Sequence, residues 1–231
     1  MTYTPLRQPE SLDSPIWHHF TIEYFQSLLK KSALHFATHA VLKEDERDEG
    51  KFPSDYLKSS LISERKRLEM PSPTEVEFQW YEDTIIRNGA AEMQHRYAIS
   101  SWSVDDAASK TLFEAFGPVA IRSTTNRLLA SLDEKPSYWG MVDYIDYGAG
   151  EREWQALYRA LFHLKRFYQI EKELRLIVTL PGPAANGRFF NRVHLPTLIE
   201  SVWISPDADQ ELRNEVEGLL DQKHLSDIPV H

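Results

Sequence analysis

Strand-like and helix-like segments follow one another along this 231-residue chain without the regular strand–helix–strand repeat that builds a parallel sheet. A short strand is expected at 16–20 and another at 33–37. Between them, the apolar positions Tyr24, Phe25, Leu28 and Leu29 have helical spacing. We therefore expect an α+β fold, with one domain in which a mixed or antiparallel β-sheet core is flanked by helices.

The remaining segments support the same fold class. Further strands are predicted at 97–102, 119–123, 139–147, 174–180 and 201–204. Further helices are predicted at 54–70, 74–94, 105–116, 124–132, 154–168 and 206–220. Residues 1–15 are polar and contain prolines, so we expect a flexible N-terminal arm followed by a single domain at 16–231.

Charge and cysteine content limit the classes of function. The chain has a net charge of −9 and no cysteine. Sequence-specific binding of duplex DNA is disfavoured because it normally leaves a basic footprint. Disulfides, thiol catalysis and thiolate metal sites are excluded. Because the N-terminus lacks a signal-peptide pattern and no apolar run approaches the roughly 20 residues that span a bilayer, we expect a cytoplasmic protein without a membrane partner.

The sequence predicts neither a metal site nor a glycine-rich phosphate loop. The nine glycines are scattered, and the nine histidines do not fall in metal-ligand spacing apart from the adjacent His18 and His19. Neighbouring side chains on a strand point to opposite faces, so one ion is not expected to take both.

Several short segments, in order, resemble the bacterial domain-of-unknown-function family 2971 (DUF2971). They are Trp17–Phe20, Phe25 with Leu28 and Leu29, Leu34–Ala37, Glu49–Gly50, Ser100–Ser103, Gly117–Ser123, Gly140–Tyr147, Lys165–Arg166, Glu171–Arg175 and Ile204–Pro206. The resemblance covers roughly residues 16–225. His18 stands where the family usually has arginine and Ser101 where it usually has cysteine, which makes this a divergent member.

A second resemblance concerns the candidate site. A first-strand His, the pair Ser100–Ser101 and the motif Glu171-Lys172-Glu173 occur in that order. This order resembles the His/Arg, Ser/Tyr, Glu layout of the ADP-ribosyltransferase superfamily. The stretch His18–Thr21 with its following helix is also similar to the start of some of that superfamily's DNA-modifying toxins. The resemblance implies NAD as the nucleotide-like small molecule, a macromolecular acceptor, and a role as a toxin or phage-defence effector.

The chemistry of NAD cleavage explains why carboxylates matter in that layout. Breaking the nicotinamide–ribose bond passes through an oxocarbenium-like transition state, which a carboxylate beside the ribose stabilises as its charge develops. Glu171 and Glu173 are therefore the catalytic candidates. On a strand they would share one face, and two like charges there raise at least one pKa, as suits a general base.

The other candidates are NAD-binding residues. His18 or His19 would hydrogen-bond the adenosine ribose or the pyrophosphate, Ser100 or Ser101 would brace the glutamate or the nicotinamide side, and Arg122 would give phosphate a bidentate contact. Each has an ordinary structural alternative: a core histidine, a serine bonded to backbone, and an arginine in an ion pair.

Two other functions stay open from the sequence. One is a non-catalytic ligand- or protein-binding module, an inactive relative, which the loss of the family's Arg and Cys favours. The other is a metal-dependent nuclease built on carboxylates and His, against which the low basic charge weighs.

Overall fold

The structure is a computed structural model that describes residues 6–38, 68–145, 161–182 and 184–231, together with residues 58, 61, 62, 65 and 66. The Glu49–Gly50 motif, the end of the predicted strand at 146–147 and the start of the predicted helix at 154–160 lie outside the described residues. The described residues between 58 and 66 are helical, which agrees with the helix predicted at 54–70.

Ten strands and six α-helices have bounds within the described residues. The strands are β1 (Pro15–Phe20), β2 (Ala33–Thr38), β3 (Tyr97–Val104), β4 (Val119–Thr124), β5 (Tyr138–Met141), β6 (Asp143–Ile145), β7 (His163–Lys165), β8 (Glu173–Thr179), β9 (Arg188–Arg192) and β10 (Ser201–Ile204). The helices are α1 (Ile22–Lys31), α2 (Glu75–Arg96), α3 (Lys110–Phe116), α4 (Thr125–Ser131), α5 (Leu195–Leu198) and α6 (Gln210–Gln222). Short 3-10 helices lie at Arg166–Glu171 and Ala185–Gly187.

Eight of the strands form one antiparallel sheet, which confirms the predicted α+β class. Its order is β10-β4-β1-β3-β2-β9, and β8 pairs with both β3 and β5. The remaining two, β6 and β7, form a separate parallel pair. Helices cover both faces of the sheet. On one face Phe20 and Ile121 join Phe25 of α1 in the main core, and on the other Trp17 packs with Phe113 of α3.

The main sheet divides beside β3. Strand β8 occupies one edge of β3 from Tyr97 to Ser103. On the other edge β1 pairs only with Ser103 and Val104, and β2 pairs only with Ala98 and Ile99. Beyond those pairs β1 continues along β4, and β2 runs along β9. We call the resulting opening, beside Ser100–Trp102 of β3 and between β1 and β2, the fork.

Two predicted elements differ from the structure. The described part of the helix predicted at 154–168 is instead β7 followed by a 3-10 helix, so that prediction is wrong. Pairing of β7 with β6 overrides the helical spacing of its apolar residues, and Phe167 ends up 84% exposed. The strand predicted at 139–147 is interrupted at Val142, because β5 pairs with β8 whereas β6 pairs with β7.

Part of the predicted N-terminal arm contacts the sheet. Arg7 donates to the carbonyl of Val142 at 2.6 Å and lies 3.2 Å from the Asp143 carboxylate. The amide of Asn126 donates to the carbonyl of Leu12. These contacts place residues 7–12 beside β5 and α4.

The turn between α3 and β4 requires a glycine. Gly117 has φ +129°, and a Cβ at that position would lie 2.2 Å from the carbonyl oxygen of Phe20. We expect Gly117→Ala to lower the free energy of unfolding by about 2 kcal/mol or more, since both the strained φ and the backbone clash must be relieved. Urea unfolding measures this. The control is Gly218→Ala in α6, where a Cβ meets nothing within 4 Å and stability should rise by up to about 1 kcal/mol. Equal stability of Gly117→Ala and the wild type would contradict the prediction.

Candidate functional site

His18 of β1 fills the fork. Its Nδ1 lies 2.7 Å from the carbonyl oxygen of Ser101. A carbonyl only accepts hydrogen bonds, so Nδ1 carries the hydrogen and Nε2 of the neutral ring is an acceptor. The ring packs against Phe20 and Trp102, with centroids 4.4 and 4.9 Å away. The side chain thereby supplies a hydrogen bond to Ser101 where the β1–β3 ladder has opened.

The His18 ring is uncharged at neutral pH. Burial lowers its pKa to about 4, with a smaller contribution in the same direction from nearby His35, while the bond to the Ser101 carbonyl acts in the opposite direction. The Nε2 of a neutral ring can accept a hydrogen bond from a hydroxyl or an amide. A neutral ring does not suit the alternative role in which a cationic His18 binds pyrophosphate.

His19 lies on the opposite face of the sheet from His18. Its ring meets Phe113 of α3 edge-on, with centroids 4.9 Å apart. Its buried Nε2 has no hydrogen-bond partner among the described residues. Burial lowers the pKa of His19 to about 4 as well. Of the two adjacent histidines, His18 is therefore the one at the fork.

The two serines on β3 have different surroundings. Ser100 is buried, and its Oγ accepts a hydrogen bond from the Trp102 indole at 3.2 Å, which is the ordinary structural role. Ser101 is half-buried and takes part through its carbonyl, the acceptor for His18. Only Ser101 therefore contributes an atom to the fork contact.

Glu171 and Glu173 do not share a strand face, so that expectation is wrong. Glu171 ends the 3-10 helix, and Glu173 begins β8. Between them Lys172 has φ +42°, which turns the chain, and its Nζ lies 3.1 Å from the Asp105 carboxylate. Glu171 is half-buried, whereas Glu173 is only 4% exposed.

Glu173 belongs to a buried polar network. Its carboxylate lies 2.9 Å from the guanidinium of Arg175, and both side chains are almost fully buried. Arg175 also donates to the carbonyl of Leu161. The backbone N–H of Glu173 donates to the Tyr144 hydroxyl at 2.9 Å. Burial, followed by the nearby Glu173 carboxylate, raises the pKa of Tyr144, so its hydroxyl stays protonated.

Arg122 forms an ion pair, which was the structural alternative to its predicted role in binding phosphate. Its guanidinium lies 2.7 Å from the Glu200 carboxylate, and both side chains are about one-third exposed. The other carboxylate oxygen of Glu200 is buried and has no hydrogen-bond partner among the described residues. A phosphate would have to compete with Glu200 for Arg122.

The structure thus brings some of the predicted residues together and separates others. The strands that carry His18, Ser101 and Glu173 are β1, β3 and β8, and they are neighbours in the sheet. In register, Ser101 lies opposite Arg175, and Ser103 lies opposite Glu173. His18 and Ser101 are in direct contact, but His19 and Glu173 lie on the other face of the sheet.

The sequence-based predictions included neither Arg175 as a buried ionic partner nor the cluster of Tyr24, His35 and Phe190. Arg175 is the buried partner of Glu173. The two residues are two positions apart on one strand, so their side chains share a face, and this spacing could have predicted the ion pair. Tyr24, His35 and Phe190 form a ring cluster that depends on β9, a strand that was not predicted. Because β9 begins and ends with an arginine, its sequence does not show the apolar alternation by which a strand is predicted.

Within the part of the chain that the structure describes, no group of three or more His, Cys, Asp or Glu side chains could hold a metal ion, and no helix is long and apolar enough to cross a bilayer. The nuclease alternative stays a prediction.

No protein-family model, no curated protein and no solved structure matches this chain. The resemblances to family 2971 and to ADP-ribosyltransferases therefore stay predictions, and the function must be argued from the geometry of the site.

Proposed function

We propose that this chain is an NAD-cleaving, ADP-ribosyltransferase-like enzyme that acts in the bacterial cytoplasm as a toxin or phage-defence effector. One observation carries the proposal. The first-strand His, the serine strand and the strand that begins two residues after Glu171 are the neighbouring strands β1, β3 and β8, although the first and the last lie more than 150 residues apart in sequence, and His18 contacts Ser101 where the sheet opens.

Of the two glutamates, Glu171 is the better candidate for the reacting carboxylate. Glu173 is buried and held by Arg175, so its charge is already neutralised inside the protein. Glu171 retains solvent access at the end of the 3-10 helix, and its charge acts on Tyr144. We assign Glu173 a positioning role, because its amide and carboxylate fix the start of β8 beside Tyr144 and Arg175.

The proposed reaction breaks the C–N bond between nicotinamide and ribose, and nicotinamide leaves with the bonding electron pair. The carboxylate of Glu171 stabilises the oxocarbenium-like sugar, and water or an acceptor hydroxyl then bonds to the same carbon and gives its proton to Glu171. His18 Nε2 accepts a hydrogen bond from a ribose hydroxyl. Because the pKa of His18 is lowered, its ring is neutral and Nε2 can act as this acceptor.

Nicotinamide release by the purified protein tests the proposal. We expect Glu171→Gln to reduce turnover by about 100-fold or more, the usual loss for a group that transfers a proton in the transition state. The matched control is Glu217→Gln on the exposed face of α6, which should leave turnover unchanged. Turnover that survives Glu171→Gln would contradict the assignment of this glutamate. No nicotinamide release, together with no NAD-dependent change in melting temperature, would overturn the proposal.

A second candidate function is a non-catalytic binding module. The observation that favours it is the internal neutralisation of charge, because Glu173 is paired with Arg175 and Arg122 with Glu200. NAD that raises the melting temperature of the wild type without releasing nicotinamide would select this function over catalysis.

A further inference from the structure

Three aromatic rings from α1, β2 and β9 form one cluster at the edge of the sheet. Tyr24 stacks on His35 with ring centroids 5.6 Å apart and planes 20° apart, and His35 lies 5.3 Å from Phe190. Tyr24 is 41% exposed, so part of its side chain is available to a ligand. We call Tyr24, His35 and Phe190 the aromatic cluster.

Three cations surround the aromatic cluster. Lys31 places its Nζ 3.6 Å from the centre of the Phe190 ring. Arg188 and Arg192 flank Phe190 at alternate positions of β9, so all three side chains share the face on which His35 lies. Opposite the two arginines stand Ala37 and Ala33, which add no bulk to that face.

Across the parts of the chain that the structure describes, no carboxylate lies within ion-pair distance of Lys31, Arg188 or Arg192. Burial, followed by the nearby charges of Arg188 and Lys31, lowers the pKa of His35 to about 4, so both cations act on the same ring. This patch is positive in a chain whose net charge is −9.

The spacing of the arginines suits a polymeric ligand. Arg188 and Arg192 are four positions apart on β9, a backbone distance of about 13 Å. At that distance each arginine can bind a different phosphate of an extended strand. Stacking on Tyr24 also requires a base that is not already stacked within a duplex.

We propose that the aromatic cluster and its three cations bind single-stranded nucleic acid, with one base stacked on Tyr24 and the backbone phosphates on Lys31, Arg188 and Arg192. Arginine binds phosphate in a bidentate manner, and stacked aromatic rings with cations along the backbone are the usual means of holding a single strand without reading its sequence. The surface lies on α1, β2 and β9, and the proposal does not depend on NAD cleavage.

Fluorescence anisotropy of a labelled oligothymidylate of about 12 nucleotides, a length within the range of single-strand sites, tests the proposal with the full chain and without NAD. We expect Tyr24→Ala to weaken binding by about fivefold to a hundredfold, the range for loss of one stacked base. Tyr24→Phe keeps the ring and should bind like the wild type. Arg188→Gln and Arg192→Gln should each reduce the slope of log affinity against log salt by about 0.7.

The matched control is Lys110→Gln, which removes an exposed cation at the start of α3, away from β9. It should change neither the affinity nor the salt slope. Binding that is insensitive to Tyr24→Ala and to both arginine variants would overturn the proposal, as would the absence of binding at low salt. Tighter binding to a duplex of the same length would also overturn it, because a duplex does not offer its bases for stacking.

Discussion

Replacing Arg175 with leucine is expected to lower the free energy of unfolding by about 3–5 kcal/mol, the usual cost of leaving one member of a buried ion pair without the other. Arg175 and Glu173 are 1% and 4% exposed, and their charged groups are 2.9 Å apart. Without the guanidinium, the Glu173 carboxylate must either stay charged in a site closed to water or take up a proton. The carbonyl of Leu161 loses its donor at the same time. Urea unfolding at neutral pH measures the loss.

Two further variants separate the ion pair from simple packing. The double change Glu173→Leu with Arg175→Leu removes both charges, so it should recover most of the stability lost in Arg175→Leu. Arg122→Gln breaks the Arg122–Glu200 pair, which is about one-third exposed, and should cost at most about 1 kcal/mol. A loss below 1 kcal/mol for Arg175→Leu would contradict the structural role assigned to the buried pair.

Local patterns predicted those elements whose partners lie nearby in the chain. The helix after the first strand is α1, because Tyr24, Phe25, Leu28 and Leu29 recur at helical spacing; the last three are buried, whereas Tyr24 is 41% exposed. The helix ends at Lys31, and β2 begins at Ala33, where a strand was predicted. Helical spacing is a pattern within a few neighbouring residues, so it needs no knowledge of the rest of the fold.

The fork could not be predicted from the sequence. It exists because β8, about 75 residues further along the chain, pairs with one edge of β3 from Tyr97 to Ser103. On the other edge, β1 and β2 pair only with the two ends of β3. No spacing within 97–104 indicates which of its residues lack a ladder partner. The contact between His18 and Ser101 is a consequence of that long-range arrangement.

The glutamate motif shows how one local conformation changes a site. A strand register was assumed through Glu171-Lys172-Glu173, but the left-handed turn at Lys172 ends the strand between the two carboxylates. Non-glycine residues seldom adopt this conformation, so the sequence carries no signal for it. As a result Glu171 and Glu173 have different exposure, which is the basis for giving them different roles.

Lowering the pH from 6.5 to 4.5 is expected to reduce the free energy of unfolding by several kcal/mol. The pKa values of His18, His19 and His35 are each lowered from 6.5 to about 4, in every case mainly by burial. In this range the unfolded chain binds protons at these histidines and the folded chain does not, so acid favours unfolding. The stability is complete above pH 6.5 and is lost as the pH falls toward 4. Each pKa unit corresponds to about 1.4 kcal/mol, and the partial exposure of the rings reduces the total.

Variants that lack one of these histidines identify the source of the pH dependence. His19→Gln removes one of the three groups, so the loss of stability between pH 6.5 and 4.5 should shrink by roughly a third of its wild-type value. His95→Gln on the exposed end of α2 is the matched control and should leave that loss unchanged. The measurement stays above pH 4.5 so that protonation of carboxylates does not contribute to the loss of stability. The pKa of Glu77, for example, is lowered to about 2 mainly by its bond to Arg65, so this residue loses its stabilising effect only at lower pH. Equal stability at pH 6.5 and 4.5 would mean that the three rings can take up protons in the folded state. The neutral His18 acceptor on which the proposed NAD contact depends would then no longer be supported.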